Sequence, residues 1–225
     1  MKFDIDSRPS DSPLVEALWR SHSSEGGSFI STAASHWEMV VTKQRGKIIM
    51  SVRGPETLAS PAPVPEEAEF FGIIFKHGVY LPSLPKQELV NHEIHIPGSS
   101  KNSFQFINGS WEFPTFENAD TFVNRLIHSG LLTHDSVVDD TLLGQAQNLS
   151  LRSLQRRFLY VTGMTYKTIQ QIERARQALA LLQSGVPIPE TAYQTGYFDQ
   201  PHLTRSLKLF AGQTPAEILT SSQSE

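Results

Sequence analysis

The sequence predicts a two-domain α+β chain: a small β-barrel or sandwich, then an all-α part with two helix-turn-helix motifs joined by a linker helix. Three observations carry this. Short β-branched and aromatic runs alternate with Pro- and Gly-rich turns between residues 36 and 107. From Glu117 onward the apolar spacing changes to that of helices. Charge divides along the same line: residues 1–135 hold 11 basic and 16 acidic side chains, and residues 136–225 hold 8 and 7. The expected domains are therefore 1–135, ending in a helix, and 136–225.

The elements follow in order. Residues 13–22 suit a short helix started by Ser12. Residues 36–43 (HWEMVVTK) and 47–53 (KIIMSVR) read as strands around the hairpin-length break Gln44-Arg45-Gly46. Residues 69–76, 88–96 and 104–107 are further strand candidates, with turns at 61–65, 80–85 and 97–100. Residues 119–128 place Phe122 and Leu126 at helical spacing, and Ser129-Gly130 stops that helix. The boundary zone is 131–137. Beyond it, helices are expected at 139–146, 150–161, 165–183, 188–194, 199–210 and 215–219, with breaks at Gly163, Ser184-Gly185, Gly196 and Gly212.

Composition narrows the function classes. At 225 residues with 39% hydrophobic and 19% charged side chains, the chain can bury a sizeable core. It has no cysteine, which excludes disulfide scaffolds, thiolate zinc sites, iron–sulfur clusters and cysteine nucleophiles. Residues 1–13 lack the apolar centre of a signal peptide, and no stretch approaches the roughly 18 apolar residues of a membrane span. A cytoplasmic protein with no membrane partner is expected. The net charge of −4 argues against a nucleic-acid partner, but it is an average. Residues 151–176 carry Arg152, Arg156, Arg157, Lys167, Arg174 and Arg176 against Glu173 alone. Local field decides whether a surface attracts phosphate, and this segment is strongly basic.

The helical part contains a repeat. A shift of 49 residues sets Leu154 on Leu203, Arg156 on Arg205, Gly163 on Gly212 and Thr165 on Thr214. The same shift sets Ser150 on Asp199, both suited to accept from free first-turn amides. Each copy runs short helix, turn, cap, then a helix with Arg and polar residues on one face. That is helix-turn-helix grammar, in which the second helix enters a major groove. On the 150–161 helix, Leu151, Leu154 and Phe158 are expected to form the apolar stripe.

Residues 139–219 resemble the two-motif DNA-binding domain of the AraC/XylS family of bacterial transcription regulators. The likeness rests first on Leu149, Ser150, Arg152, Leu154, Gln155, Arg156, Arg157, Phe158 and Gly163. It continues in Arg174, Ala178, Leu181 and Leu182 of the linker helix. The second motif adds Ala192, Gly196, Tyr197, Asp199, His202, Leu203, Thr204, Arg205, Lys208, Gly212, Thr214 and Pro215. Tyr197 and Leu207 replace the usual phenylalanines, and Leu219 stands where an arginine often closes the pattern. The resemblance implies a DNA-binding transcription regulator. Its base-facing positions fall on Arg152, Ser153, Gln155 and Arg156, then on Gln200, Pro201, His202, Thr204 and Arg205. Arg157 is added as a DNA-binding cation. Arg grips guanine and Gln grips adenine with two bonds, whereas Pro201 cannot read a base edge.

In the first half, His92 and His95 invite a metal reading, with His36 and His77 elsewhere. Strand geometry sends 92 and 95 to opposite faces, so no metal site is expected. Its many aromatics form a core, and any surplus would line a pocket for a small organic effector. The segment from Phe71-Gly72 to Phe75-Lys76-His77-Gly78 resembles the shortened cupin-like sensor domains of some AraC-family regulators. The expectation is a regulator, not an enzyme, with no catalytic residue, cofactor or metal. Its expected partners are double-stranded DNA, RNA polymerase, a small-molecule effector and a second copy of the chain, and its place is the nucleoid. The alternatives are a cupin-type metal-dependent enzyme and a regulator acting through protein–protein contacts.

Overall fold

In the computed structural model, which describes residues 4–222 apart from residue 108, six N-terminal strands form one antiparallel sheet. They are β1 (Asp4–Arg8), β2 (Val15–Ser23), β4 (Glu38–Gln44), β5 (Lys47–Arg53), β7 (Ala68–Phe75) and β9 (Glu93–Pro97). Their order across the sheet is β1-β2-β7-β4-β5-β9. β3 (Gly27–Ser31) pairs with β6 (Ser60–Val64), and β8 (Val79–Tyr80) with β12 (Thr133–His134). A hairpin of β10 (Ser103–Phe106) and β11 (Gly109–Glu112) completes the strands. The helices are α1 (Lys86–Leu89), α2 (Ala119–His128), α3 (Ser136–Leu142), α4 (Leu151–Thr162), α5 (Tyr166–Gln183), α6 (Ile188–Gln194), α7 (Gln200–Phe210) and α8 (Pro215–Ser222).

Contacts divide the chain into two compact units, one of 1–28, 36–55 and 63–165, the other of 29–35, 56–62 and 166–225. The division between these units falls within the helical part, between α4 and α5.

In the first unit, strand alternation puts Leu18, Met39, Val41, Met50, Val52, Phe71 and Ile73 on one sheet face. Phe104, Trp111, Phe122, Val123 and Leu126 of the β10–β11 hairpin and α2 belong to the same buried cluster. Trp37 stacks on Phe75 with ring centroids 4.2 Å apart, and its indole N–H donates to the Val79 carbonyl at 2.6 Å. In the second unit, Ala178, Leu182, Ala192, Tyr197, Leu203, Leu207 and Ile218 make a separate helical core.

Several elements depart from the sequence reading. Residues 13–22 are not a helix: β2 pairs with β1 on one side and β7 on the other, and this ladder overrides the local start signal at Ser12. The Pro-rich run 61–65 lies largely within β6, on a two-stranded ribbon where missing amide donors are tolerated. The first helix of the C-terminal part starts earlier than 139, because Asp135 accepts from the Val137 N–H at 3.1 Å. It stops before Gly144, which has φ +77°. Leu151 is 75% exposed and does not join Phe158 in the core, because it sits at the first helical position, beyond the buried turns.

The start of the chain is tied to α2 through Asp120. Its carboxylate accepts from the Ser10 hydroxyl, from Arg8 at 3.1 Å and from the Asp11 N–H at 3.1 Å. Burial alone would raise the Asp120 carboxyl, but these donors outweigh it and hold the carboxyl below its ordinary value. A lowered folded-state value stabilises above the unfolded pKa, near about 4, and that contribution is lost as pH falls through the folded value. Asp120→Asn is expected to cost about 1–3 kcal/mol at neutral pH in urea unfolding, with the difference shrinking toward acid.

Candidate nucleic-acid interface

Each motif builds its second helix from a cap, a turn and a glycine. Ser150 is extended (φ −65°, ψ 151°), and its hydroxyl accepts from the Ser153 N–H at 3.2 Å to start α4. Asp199 is likewise extended (φ −153°, ψ 169°) and accepts from the His202 N–H at 2.7 Å to start α7. Both helices end before a left-handed glycine, Gly163 at φ +77° and Gly212 at φ +73°. The repeat read from sequence is thus a repeat of backbone conformation.

The C-terminal ends of both helices are fastened to segments from earlier in the chain. In the first unit, the Gln87 side-chain amide donates to the Leu159 carbonyl at 3.1 Å. Lys86 Nζ lies 4.9 Å from the ring centroids of both Tyr80 and Tyr160, and burial lowers the pKa of its ammonium. A Cβ on Gly163 would stand 2.6 Å from the Lys86 carbonyl oxygen, so only glycine fits. In the second unit, the Ala33 N–H donates to the Phe210 carbonyl at 2.7 Å and the Ala59 N–H to the Leu209 carbonyl at 2.9 Å. A Cβ on Gly212 would stand 2.7 Å from Ile30 Cγ2. The last carbonyls of a helix lack intrahelical partners, and for α7 the N-terminal half supplies them, whereas the Leu159 carbonyl of α4 also accepts from the Gly163 N–H at 3.1 Å.

The opposite ends carry the residues read as DNA contacts. Arg152, Gln155 and Arg156 are exposed on α4, and Gln200 and Arg205 on α7. Ser153 shares a hydrogen bond of 2.9 Å with the capping Ser150, and the Thr204 hydroxyl donates to the Gln200 carbonyl at 2.9 Å. His202 packs against the edge of Tyr197, with ring centroids 5.1 Å apart. Tyr197 is anchored in turn by a 2.7 Å hydrogen bond to Ser206 and by Arg174, 4.5 Å above its ring. Arg157 differs from its neighbours: its Nε pairs with Asp135 at 3.1 Å, a partner that the charge run gave no sign of.

Among the other sequence candidates, His95 bonds Ser51 at 2.8 Å while His92 bonds the Val90 carbonyl at 2.9 Å. The rings of His36 and His77, far apart in sequence, lie with centroids 3.8 Å apart. The first unit also contains an open cleft of about 1080 Å³ on its sheet. Val41, Ile48, Phe71, Phe113 and Phe116 give it apolar walls, and Arg20 lies 4.5 Å above the Phe116 ring. No helix among the described residues is long and apolar enough to cross a membrane.

Two capped helices with basic exposed faces, each preceded by a short helix and a turn, define a helix-turn-helix protein. Residues 143–221 match the family described as a helix-turn-helix domain. No curated protein matches the chain. Among solved structures, ToxT from Vibrio cholerae is similar at TM-score 0.45 and 12% identity, over 96% of this chain and 98% of that one. A second ToxT structure, from Vibrio cholerae O395 and bound to (E)-4-(8-methylnaphthalen-1-yl)but-3-enoic acid, gives 0.41 and 11% over 97% and 99%. At these scores the likeness is a distant one.

Gly212→Ala is expected to destabilise the full chain by about 1–2 kcal/mol in urea unfolding, since it adds left-handed strain and a clash with Ile30. A fragment of residues 136–225 lacks the Ala33 and Ala59 donors. Its α7 is expected to unfold at a lower temperature than in the full chain, as followed by residue-resolved hydrogen exchange.

Proposed function

We propose that this protein is a sequence-specific DNA-binding transcription regulator whose two recognition helices, α4 and α7, enter adjacent major grooves. The single observation that supports this reading most is the structural repeat: caps, glycines and the exposed Arg156 and Arg205 all recur 49 residues apart. Chance helical hairpins share packing, not a cap, an arginine and a left-handed glycine in register. The linking helix α5 has 18 residues, and at about 1.5 Å per residue it spans about 27 Å. Successive major grooves on one DNA face recur about every 34 Å, the separation this reading asks of the two helices when DNA is bound.

In this reading Arg152, Gln155, Arg156, Gln200 and Arg205 contact base edges or phosphates. His202, Thr204 and Ser153 contribute from partly covered positions. Arg157 steadies α4 through Asp135 and adds positive potential near phosphate. The domain proposed to bind DNA is 136–225, and the proposed effector domain is 1–135. The open cleft, apolar below and edged by the ion pairs Arg20–Asp6 and Lys43–Glu69, is where a small organic effector would sit. The regulator would act in the cytoplasm, on the nucleoid, where RNA polymerase and a second copy of the chain are its proposed protein partners.

Selection of bound fragments from random duplex DNA, using the full chain, tests this reading. It should return a defined sequence, with log affinity falling against log salt at a slope near about −5 if about six phosphates are neutralised. Failure to retain any duplex at low salt would contradict it. On the selected site, Arg156→Ala and Arg205→Ala should each cost about 1–3 kcal/mol and relax preference in different halves of the site.

A further inference from the structure

Phe198 stands immediately before the Asp199 cap of α7. An apolar residue in that place ordinarily folds back onto the fourth helical residue, here Leu203. Phe198 does not. Leu203 is fully buried by other residues, while Phe198 is 92% exposed, the most exposed large apolar side chain among the described residues. The backbone explains why. Tyr197 is drawn into the core by Ser206 and Arg174, and the extended Asp199 keeps the chain stretched, so the side chain between them faces outward. The first copy repeats the feature: Leu149, just before the Ser150 cap, is 44% exposed.

We propose that Phe198 contacts the C5-methyl group of a thymine at the edge of the site read by α7. The proposal rests on the DNA-binding reading and gives it a specificity-determining residue beyond the polar face. Recognition helices present their N-terminal residues to base edges, so the residue preceding the cap lies at the groove margin. The thymine methyl is the apolar feature of the major groove, and Phe is among the side chains that meet it. Gln200 and Arg205, exposed on the same helix, supply the polar contacts beside it. Leu149 stands at the matching place in the first copy.

The test uses the full chain and the duplex it selects. Phe198→Ala should weaken binding about 3- to 10-fold, the scale of a lost methyl contact. It should leave the salt slope unchanged, because no phosphate contact is lost. Replacing the contacted thymine by deoxyuracil, which removes only the methyl, should weaken the wild-type protein to a similar degree and leave Phe198→Ala unaffected. Phe198→Leu should keep the thymine preference. An unchanged thermal unfolding midpoint would show that the exposed ring is not needed for folding. Wild-type affinity in Phe198→Ala would overturn the proposal, as would an equal loss on thymine and deoxyuracil duplexes. If the wild-type chain selects no DNA at all, the regulator reading itself falls, a result distinguishable from either of these.

Discussion

The fastening of the C-terminal ends of α4 and α7 to segments from earlier in the chain is the constraint on which the rest of this structure depends. Both ends are held by segments of the N-terminal half: Gln87 adds a second bond to the Leu159 carbonyl, which already accepts from the Gly163 N–H, and the amides of Ala33 and Ala59 donate to the carbonyls of Phe210 and Leu209. The approach is close enough that the two turning residues are glycines, Gly163 beneath the Lys86 carbonyl and Gly212 beside Ile30. The two motifs thereby became parts of different compact units, each built partly from the N-terminal half.

Fastening one end of a helix orients the other. With the C-terminal turns held, the exposed N-terminal turns carry the caps, the arginines and the apolar residues Leu149 and Phe198. The N-terminal amides add partial positive charge at that end, which suits a phosphate partner. An effector in the sheet cleft would act on a unit that includes α1 and α4, so the first recognition helix shares its packing with the proposed sensor. The segments 29–35 and 56–62 give the second motif a covalent tie to the same half.

What was legible in the sequence is what is local. Helices 119–128 and 188–194 have the bounds that spacing and stop signals imply, and the caps Ser150 and Asp199 and the glycines of the repeat perform as their residue types suggest. What was hidden is non-local. Nothing in residues 13–22 announces β7 as a partner, so the start signal at Ser12 misled the reading of β2. Nothing in the Ala33 or Ala59 side chain reveals that its amide will cap a helix more than a hundred residues away, because backbone donors carry no residue signature. The pairing of Arg157 with Asp135 is of the same kind: the charge run showed the cation, and only the fold brought the carboxylate to it.

The central claim is that two recognition helices in one chain each read their own groove. Hydroxyl-radical footprinting of the full chain on its selected duplex measures this most directly. Two protected stretches on one face of the DNA, about 10–10.5 base pairs apart, are the predicted result. A single short protected stretch would contradict the claim, because one of the two capped and anchored helices would then have no DNA to read.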